Sequence, residues 1–250
     1  MRRADGTEFD PAGFRAWLFD LDGVLTRTAD VHAAAWKATF DPFLDHEGLS
    51  PAFDLVGDYL TYVDGRPRAD GVRAFLRARG IELPEGDPGD PPGAWTVAGI
   101  AASKNARFRE VLARDGVAVF DGTLAVVRGL RARGVATAVV SASANTRSVL
   151  AAAGIADLFD GCVDGVVVDE QHLAGKPAPD SYLEAARLVG VAPGDAAMVE
   201  DALVGVEAGR AGGFGLVVGV DHGGQGGALI AHGADVVVGD LGELFDPGSG

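Results

Sequence analysis

Cysteine, positive charge and long apolar runs are what these 250 residues have least of. A single cysteine excludes an internal disulfide, and Cys162, set beside an apolar run, reads as a buried structural thiol rather than a nucleophile. Only 21 Lys and Arg face 36 Asp and Glu, a formal net charge of −15. That balance argues against nucleic acid or an anionic membrane surface as the main partner. No apolar run approaches membrane-spanning length, and no signal-type apolar region follows Met1-Arg2-Arg3-Ala4-Asp5-Gly6, so a soluble cytoplasmic protein is expected. Internal repeats and coiled-coil heptads are missing as well. With 48% hydrophobic residues, the chain can bury one large domain or a core with an inserted lobe.

What is there is an alternation. An apolar run at 16–19 ends in Asp20-Leu21-Asp22-Gly23. From residue 123 the stretches take turns: helix 123–133 closing at Gly134, strand 135–140, helix 145–153 closing at Gly154, strand 162–168, helix 179–189, strand 196–199, a helix running to 211, and short β-rich runs at 216–220 and 235–238. Strands alternating with helices across short connections predict an α/β fold with a parallel, doubly wound sheet. Between residues 28 and about 117 no strand of this type is expected. Helices are expected at 29–40, at 68–79 with Gly80 as the stop, and at 103–114 with Ser103 as the cap. Residues 41–67 read as irregular, and 85–93, rich in Pro, Gly and Asp, as a surface loop. The expected division is a core of 1–27 and 113–250 with a helical insert of 28–112; residues 246–250 are expected to fray.

Four segments carry candidate chemistry. Strand side chains alternate, so Asp20 and Asp22 begin on one side, at the carboxyl end of a buried strand where open α/β sheets bind ligands. The same acids also suit an ordinary turn. In Ser141-Ala142-Ser143-Ala144-Asn145, free backbone N–H groups and the Ser141 hydroxyl can hold anionic oxygens or cap a helix. Gly175-Lys176-Pro177-Ala178-Pro179-Asp180 stiffens the chain around a lysine, lowering the entropy lost in fixing it; its compact ammonium suits a neighbouring anionic group. Glu200-Asp201 ends another apolar strand. Its carboxylates are hard oxygens of the kind Mg²⁺ prefers, and they equally suit the start of a helix.

In this order the four segments, spanning residues 20 to 201, resemble the motifs of the haloacid dehalogenase-like phosphotransferases. The resemblance implies a Rossmann-like core with an inserted helical C1 cap and Mg²⁺-dependent phosphoryl transfer. Asp20 would be the nucleophile that becomes an aspartyl phosphate, Asp22 the general acid/base, and Ser141 and Lys176 the remaining catalytic residues. By the same resemblance Asp20, Asp22 through its carbonyl, Glu200 and Asp201 would form the metal site. At an ordinary carboxylate pKa, Asp20 is expected to be ionised at neutral pH. The metal and a few local cations would offset the acidic field of the chain.

The insert resembles the cap of the β-phosphoglucomutase branch in Thr28, His32 and Trp36, in Gly65-Arg66-Pro67-Arg68-Ala69-Asp70-Gly71, and in Ser103-Lys104-Asn105. Carried over by position, Arg68 would grip the phosphate distal to the metal, with Ala142, Ser143 and Asn145 approaching from the core. His32, Trp36, Lys104 and Asn105 would contact sugar or cap, although Trp36 also suits packing. Ala144 stands where that branch usually has Lys, and Asp121-Gly122 where Pro-Gly is usual. The resemblance implies an isomerase converting β-glucose 1-phosphate to glucose 6-phosphate through the 1,6-bisphosphate, with cap closure excluding water. A phosphatase of the same fold, acting on a sugar phosphate or another small phosphate ester, is the alternative, and an inactive binding protein a third reading. The expected partner is a small sugar phosphate, with no nucleic acid and no membrane, and the protein is expected to be a monomer.

Overall fold

Apolar five-residue stretches with no alternation of polar and apolar positions suit strands covered on both faces, and the computed structural model, which describes residues 1–245, places them side by side. The first strand, β1 (Ala16–Asp20), is buried throughout. The insert follows with helices α1 (Ala29–His46), α2 (Arg68–Ala78) and α3 (Val97–Asp115). The alternation then runs α4 (Asp121–Ala132), β2 (Ala136–Val140), α5 (Thr146–Ala152), β3 (Gly161–Val163), α6 (Gly165–Glu170), α7 (Asp180–Leu188), β4 (Ala196–Glu200), α8 (Leu203–Ala211), β5 (Leu216–Val220), α9 (Gly226–His232) and β6 (Val236–Val238). The expected fraying of 246–250 falls outside the described residues.

Among the described residues the six strands form one parallel sheet in the order β3-β2-β1-β4-β5-β6. It is the parallel α/β sheet expected. Strand order reverses between β1 and β4, which pair from Ala16↔Ala196 to Phe19↔Val199. A crevice opens at such a point, beyond the carboxyl ends of the two strands. Asp20 ends one and Glu200 the other. The core of this unit joins Leu18, Val140, Tyr182, Met198, Val206 and Leu229, all buried.

The chain divides into two units, one of Met1–Arg27 and the chain from Ala118 on, the other Thr28–Val117. The expected boundary after residue 112 falls inside α3, whose last turn ends at Gly116. In the first unit the two segments flanking the insert pair with each other: Arg27 N donates to Ala118 O (2.8 Å), Phe120 N to Leu25 O (3.1 Å), and Thr26 bridges Val119. The second unit is helical around an aromatic core of Trp36, Phe40, Phe43, Phe53 and Phe75.

Four local expectations need correction. α1 runs through Pro42 to His46, because Phe43 and Leu44 are buried and tertiary packing outweighs the lost backbone donor. α3 begins at Val97, capped by Thr96, whose side chain accepts from Gly99 N; Ser103 lies inside it, donating to Gly99 O and accepting from Gly93 N. The run at 162–168 is strand only to Val163: Asp164 accepts from Val166 N and Val167 N, and this cap turns the remaining valines into α6. α9 was not expected, because its start lies in a glycine-rich stretch of low helix propensity.

Candidate active site

β1 delivers Asp20 to the crevice with 6% of its surface exposed. The chain then curls back: Leu25 N and Thr26 N both donate to Leu21 O (3.0 and 2.9 Å), and Gly23 N donates to Thr26 O (2.8 Å). Gly23 has φ +86°, a conformation that side chains disfavour, and a Cβ there would overlap the Asp201 carboxylate. The turn carrying Asp22 thus lies directly against the residue that follows β4.

Lys176 joins the ends of the two strands. Its Nζ donates to Asp20 Oδ1 and to Glu200 Oε1, both at 2.5 Å, and the residue is 5% exposed. The loop that presents it is closed by Ala174 N donating to Asp180 Oδ2 (3.0 Å), so the aspartate that begins α7 also fixes the lysine's loop. Glu200 accepts further from Tyr182 OH (2.7 Å) and, through Oε2, from Ala202 N (3.1 Å). α8 passes so close that a Cβ on Gly205 would overlap this carboxylate.

Electrostatics follow from this burial. Desolvation pushes the Asp20 carboxyl well above its ordinary value; the Lys176 ammonium pulls the other way, and the Glu200 and Asp22 carboxylates add to the rise. The expectation of an ordinary, freely ionised Asp20 therefore does not describe this isolated site. Burial by itself would push Lys176 down, but the two carboxylates outweigh it and hold the ammonium above its usual range. Burial, then the charges of Glu200 and Asp20, push the Tyr182 phenol up.

Asp20, Glu200 and Asp201 each offer a carboxylate oxygen, all within 4.8 Å of one another. These are hard donors, and with one ammonium beside them the pocket carries surplus negative charge, so the donor set fits a hard divalent cation. Asp22 adds no side-chain oxygen to that group; its expected ligand is the backbone carbonyl.

β2 ends beside β1, and Ser141 follows it, 2% exposed. Its Oγ accepts from Ser143 N (3.1 Å), and Ser143 Oγ accepts from Asn145 N (3.2 Å). These bonds fold 141–145 into a tight loop. Gly165 lies against the backbone of Ala142, Ser143 and Ala144, leaving no room there for a side chain. Asn145 stands at the N-cap of α5 without a capping side-chain bond.

The remaining candidates lie in the other unit. His32 Nδ1 meets Lys104 Nζ, and Lys104, 4% exposed, sits over the rings of Trp36 (5.2 Å) and Phe108 (5.1 Å). Trp36 is 3% exposed and stacked on Phe40. Asn105 follows Lys104 on α3, and Arg68 opens α2, donating to Ala101 O (3.3 Å).

Three residues that touch the core site were not expected. Tyr182 read only as the apolar face of a helix, while its hydroxyl completes the shell of Glu200. His222 Nε2 bonds Gly23 O (2.9 Å), and Gln225 Nε2 donates to Asp201 O (3.0 Å). The rule that loops beyond the carboxyl ends of parallel strands line the crevice was the one signal for the loop after β5.

Residues 14–213 match the family model of the haloacid dehalogenase-like hydrolases. A β-phosphoglucomutase of Mycobacterium tuberculosis (strain CDC 1551 / Oshkosh) is 53% identical over 244 residues, covering 94% of this chain and 93% of its own. Hexitol phosphatase A of Escherichia coli (strain K12) is 27% identical over 204 residues, 80% of each chain. The crystal structure of a β-phosphoglucomutase from Clostridium difficile shares the fold with a TM-score of 0.73 at 23% identity, covering 92% of this chain and 93% of that one.

Proposed function

The chain belongs to the haloacid dehalogenase-like hydrolase family, and from that premise we propose that it is a β-phosphoglucomutase, moving a phosphoryl group between the 1- and 6-positions of glucose through phosphorylated Asp20. The observation that carries the reading is the buried chain Asp20–Lys176–Glu200 across the switch point of the sheet. The 53% identical relative favours a sugar acceptor over water.

Asp20 attacks phosphorus as the ester oxygen leaves, splitting the transfer into two steps joined by an acyl phosphate. Asp22 protonates the departing sugar oxygen and later takes the proton from the incoming hydroxyl. Lys176 orients Asp20 and places positive charge where phosphoryl oxygens gather it. The Ser141 hydroxyl, whose oxygen already accepts from Ser143 N, turns its proton toward those oxygens. Asp20 and Asp201, with the Asp22 carbonyl and Glu200 beside them, would hold Mg²⁺, whose charge favours ionised Asp20 and offsets the charge of the phosphoryl group. Glu200 also anchors Lys176, a task its three donors make plain. Arg68, His32, Lys104 and Asn105 contact the sugar phosphate, and Trp36 serves them as packing. Ala142, Ser143 and Asn145 line the phosphate from the core. A sugar phosphate does not cross a bilayer unaided, which supports a cytoplasmic setting for the reaction.

The test follows β-glucose 1-phosphate with Mg²⁺ and a trace of glucose 1,6-bisphosphate, reading both glucose 6-phosphate and free phosphate. Rapid glucose 6-phosphate formation with little phosphate release, falling at least about 10³-fold in Asp20→Asn, is expected. Phosphate release without isomerisation would replace the mutase by a phosphatase, the reading that the hexitol phosphatase similarity favours.

A further inference from the structure

The loop between β5 and α9 grips the site from a side that the reaction outlined above does not use. Asp221 begins it by folding the loop on itself. Its carboxylate accepts from Gly223 N (3.0 Å), Gly224 N (2.7 Å), Gln225 N (3.0 Å) and Gly226 N (2.8 Å). Burial works against that charge, yet the backbone donors hold the Asp221 carboxyl below its ordinary value. A stretch with four glycines among residues 223–227 is thereby given one shape. Two side chains project from it: Gln225 to the Asp201 carbonyl and His222 to the Gly23 carbonyl.

A carbonyl can only accept, so the His222 nitrogen facing it carries the proton. The imidazole ring stacks on Phe120 at 4.4 Å, with 3° between the planes, and the Arg27 guanidinium lies over the same phenyl ring at 4.2 Å. Arg27 and Phe120 belong to the paired segments on either side of the insert. His222 therefore has its orientation set by packing and its donor aimed at the turn that follows Asp22.

We propose that His222 is a positioning residue for Asp22: its Nε2–H holds the Gly23 carbonyl, and through that peptide it fixes where the acid/base carboxyl points. The inference rests on the phosphoryl-transfer reading above. Gly23 has no side chain of its own to lock the turn, and a Cβ is excluded there by Asp201. The restraint on Asp22 from this side comes from outside the turn.

Two substitutions separate the donor from the ring. His222→Phe keeps an aromatic ring on Phe120 and removes the N–H; His222→Gln keeps an amide N–H and removes the ring. The readout is first-turnover phosphorylation of Asp20 with Mg²⁺ by two donors. Glucose 1,6-bisphosphate loses a sugar oxygen that needs a proton from Asp22. p-Nitrophenyl phosphate loses p-nitrophenolate, which departs with its electron pair and no proton.

With the sugar bisphosphate, His222→Phe is expected to slow phosphorylation about ten- to a hundredfold, at little change in the concentration dependence. With p-nitrophenyl phosphate it should stay within about threefold of the parent, and His222→Gln should stay within about threefold for both donors. Equal slowing on both donors would assign His222 to general structure and overturn the proposal. So would an unchanged His222→Phe, or a His222→Gln as slow as His222→Phe. Asp22→Ala in parallel separates the two levels of inference. A donor-dependent loss there without one in His222→Phe overturns this proposal alone, whereas a parent enzyme that the sugar bisphosphate does not phosphorylate removes the functional reading beneath it.

Discussion

Two buried lysines, one in each unit, meet their surroundings in opposite ways. Lys176 is 5% exposed and sits between two carboxylates at the crevice of the sheet. Lys104 is 4% exposed and lies against the His32 imidazole and over the rings of Trp36 and Phe108. The first is the counter-charge of an acidic site, so its loss leaves buried carboxylates uncompensated. The second has beneath it two aromatic rings, Trp36 and Phe108, that also accept an uncharged side chain. Burial of a charge alone does not say what its removal will cost. The company it keeps does.

The sharpest way to break the comparison is Lys176→Met, studied with a chelator present. Removing one partner of a buried ion pair is expected to destabilise by about 3–5 kcal/mol and to slow phosphoryl transfer by at least about 10²-fold. Without the ammonium, the Asp20 carboxyl is pushed further up. A carboxyl whose folded value is raised stabilises the fold at low pH and loses that contribution as pH rises through the raised value. The deficit of the variant against the parent should therefore shrink as pH falls through the raised value of Asp20, as calorimetry at several pH values would read. A deficit independent of pH would show that Lys176 does not restrain the Asp20 carboxyl.

Gly23→Ala should come next. It combines a positive φ with a Cβ that overlaps Asp201, costing about 1–3 kcal/mol and lowering kcat about 10²-fold by displacing an acid of the site. Gly134→Ala is its control: φ is +76° there, but the Cβ meets open space, so stability falls by about 1 kcal/mol while kcat stays. Equal kcat in the two variants would mean that the tight approach of Gly23 to Asp201 has no catalytic consequence. The smallest effect on stability is expected from Lys104→Met. A thioether can lie on the same aromatic faces, and thermal unfolding should place the change within about 1 kcal/mol. A loss as large as that of Lys176→Met would erase the distinction between the two sites.

The core of the site was legible because its chemistry and its local structure coincide: Asp20, Lys176, Glu200 and Asp201 sit at strand ends or in stiff loops whose apolar flanks mark them. Strand β5 was read with the limits it has, 216–220. Less was legible where tertiary packing overrules local signals. Pro42 breaks a helix by propensity, yet the apolar pocket around Phe43 and Leu44 carries α1 past it. A run of valines after Asp164 reads as strand by composition, while one capping carboxylate turns it into helix. The protonation of Asp20 was not legible either, since burial and neighbouring charges exist only in the folded site. His222 and Gln225 escaped for a related reason: their contacts join loops nearly 200 and 24 residues apart, and neither lies in a segment with a chemical signature.

The chain holds three lysines, Lys37, Lys104 and Lys176, and the folded structure withdraws two of them from solvent. Lys37 keeps 38% of its side chain exposed beside Asp41. An amine-directed reagent added to the native protein therefore finds one side chain and the terminal amine, and covalent immobilisation through lysine would orient the molecules by a single face of α1. The other two amines lie one to each unit. Each becomes reactive only as its own surroundings open, so the order in which mass tags accumulate at Lys104 and Lys176 during denaturation reads the opening of two different buried sites, from amino acids the chain already carries.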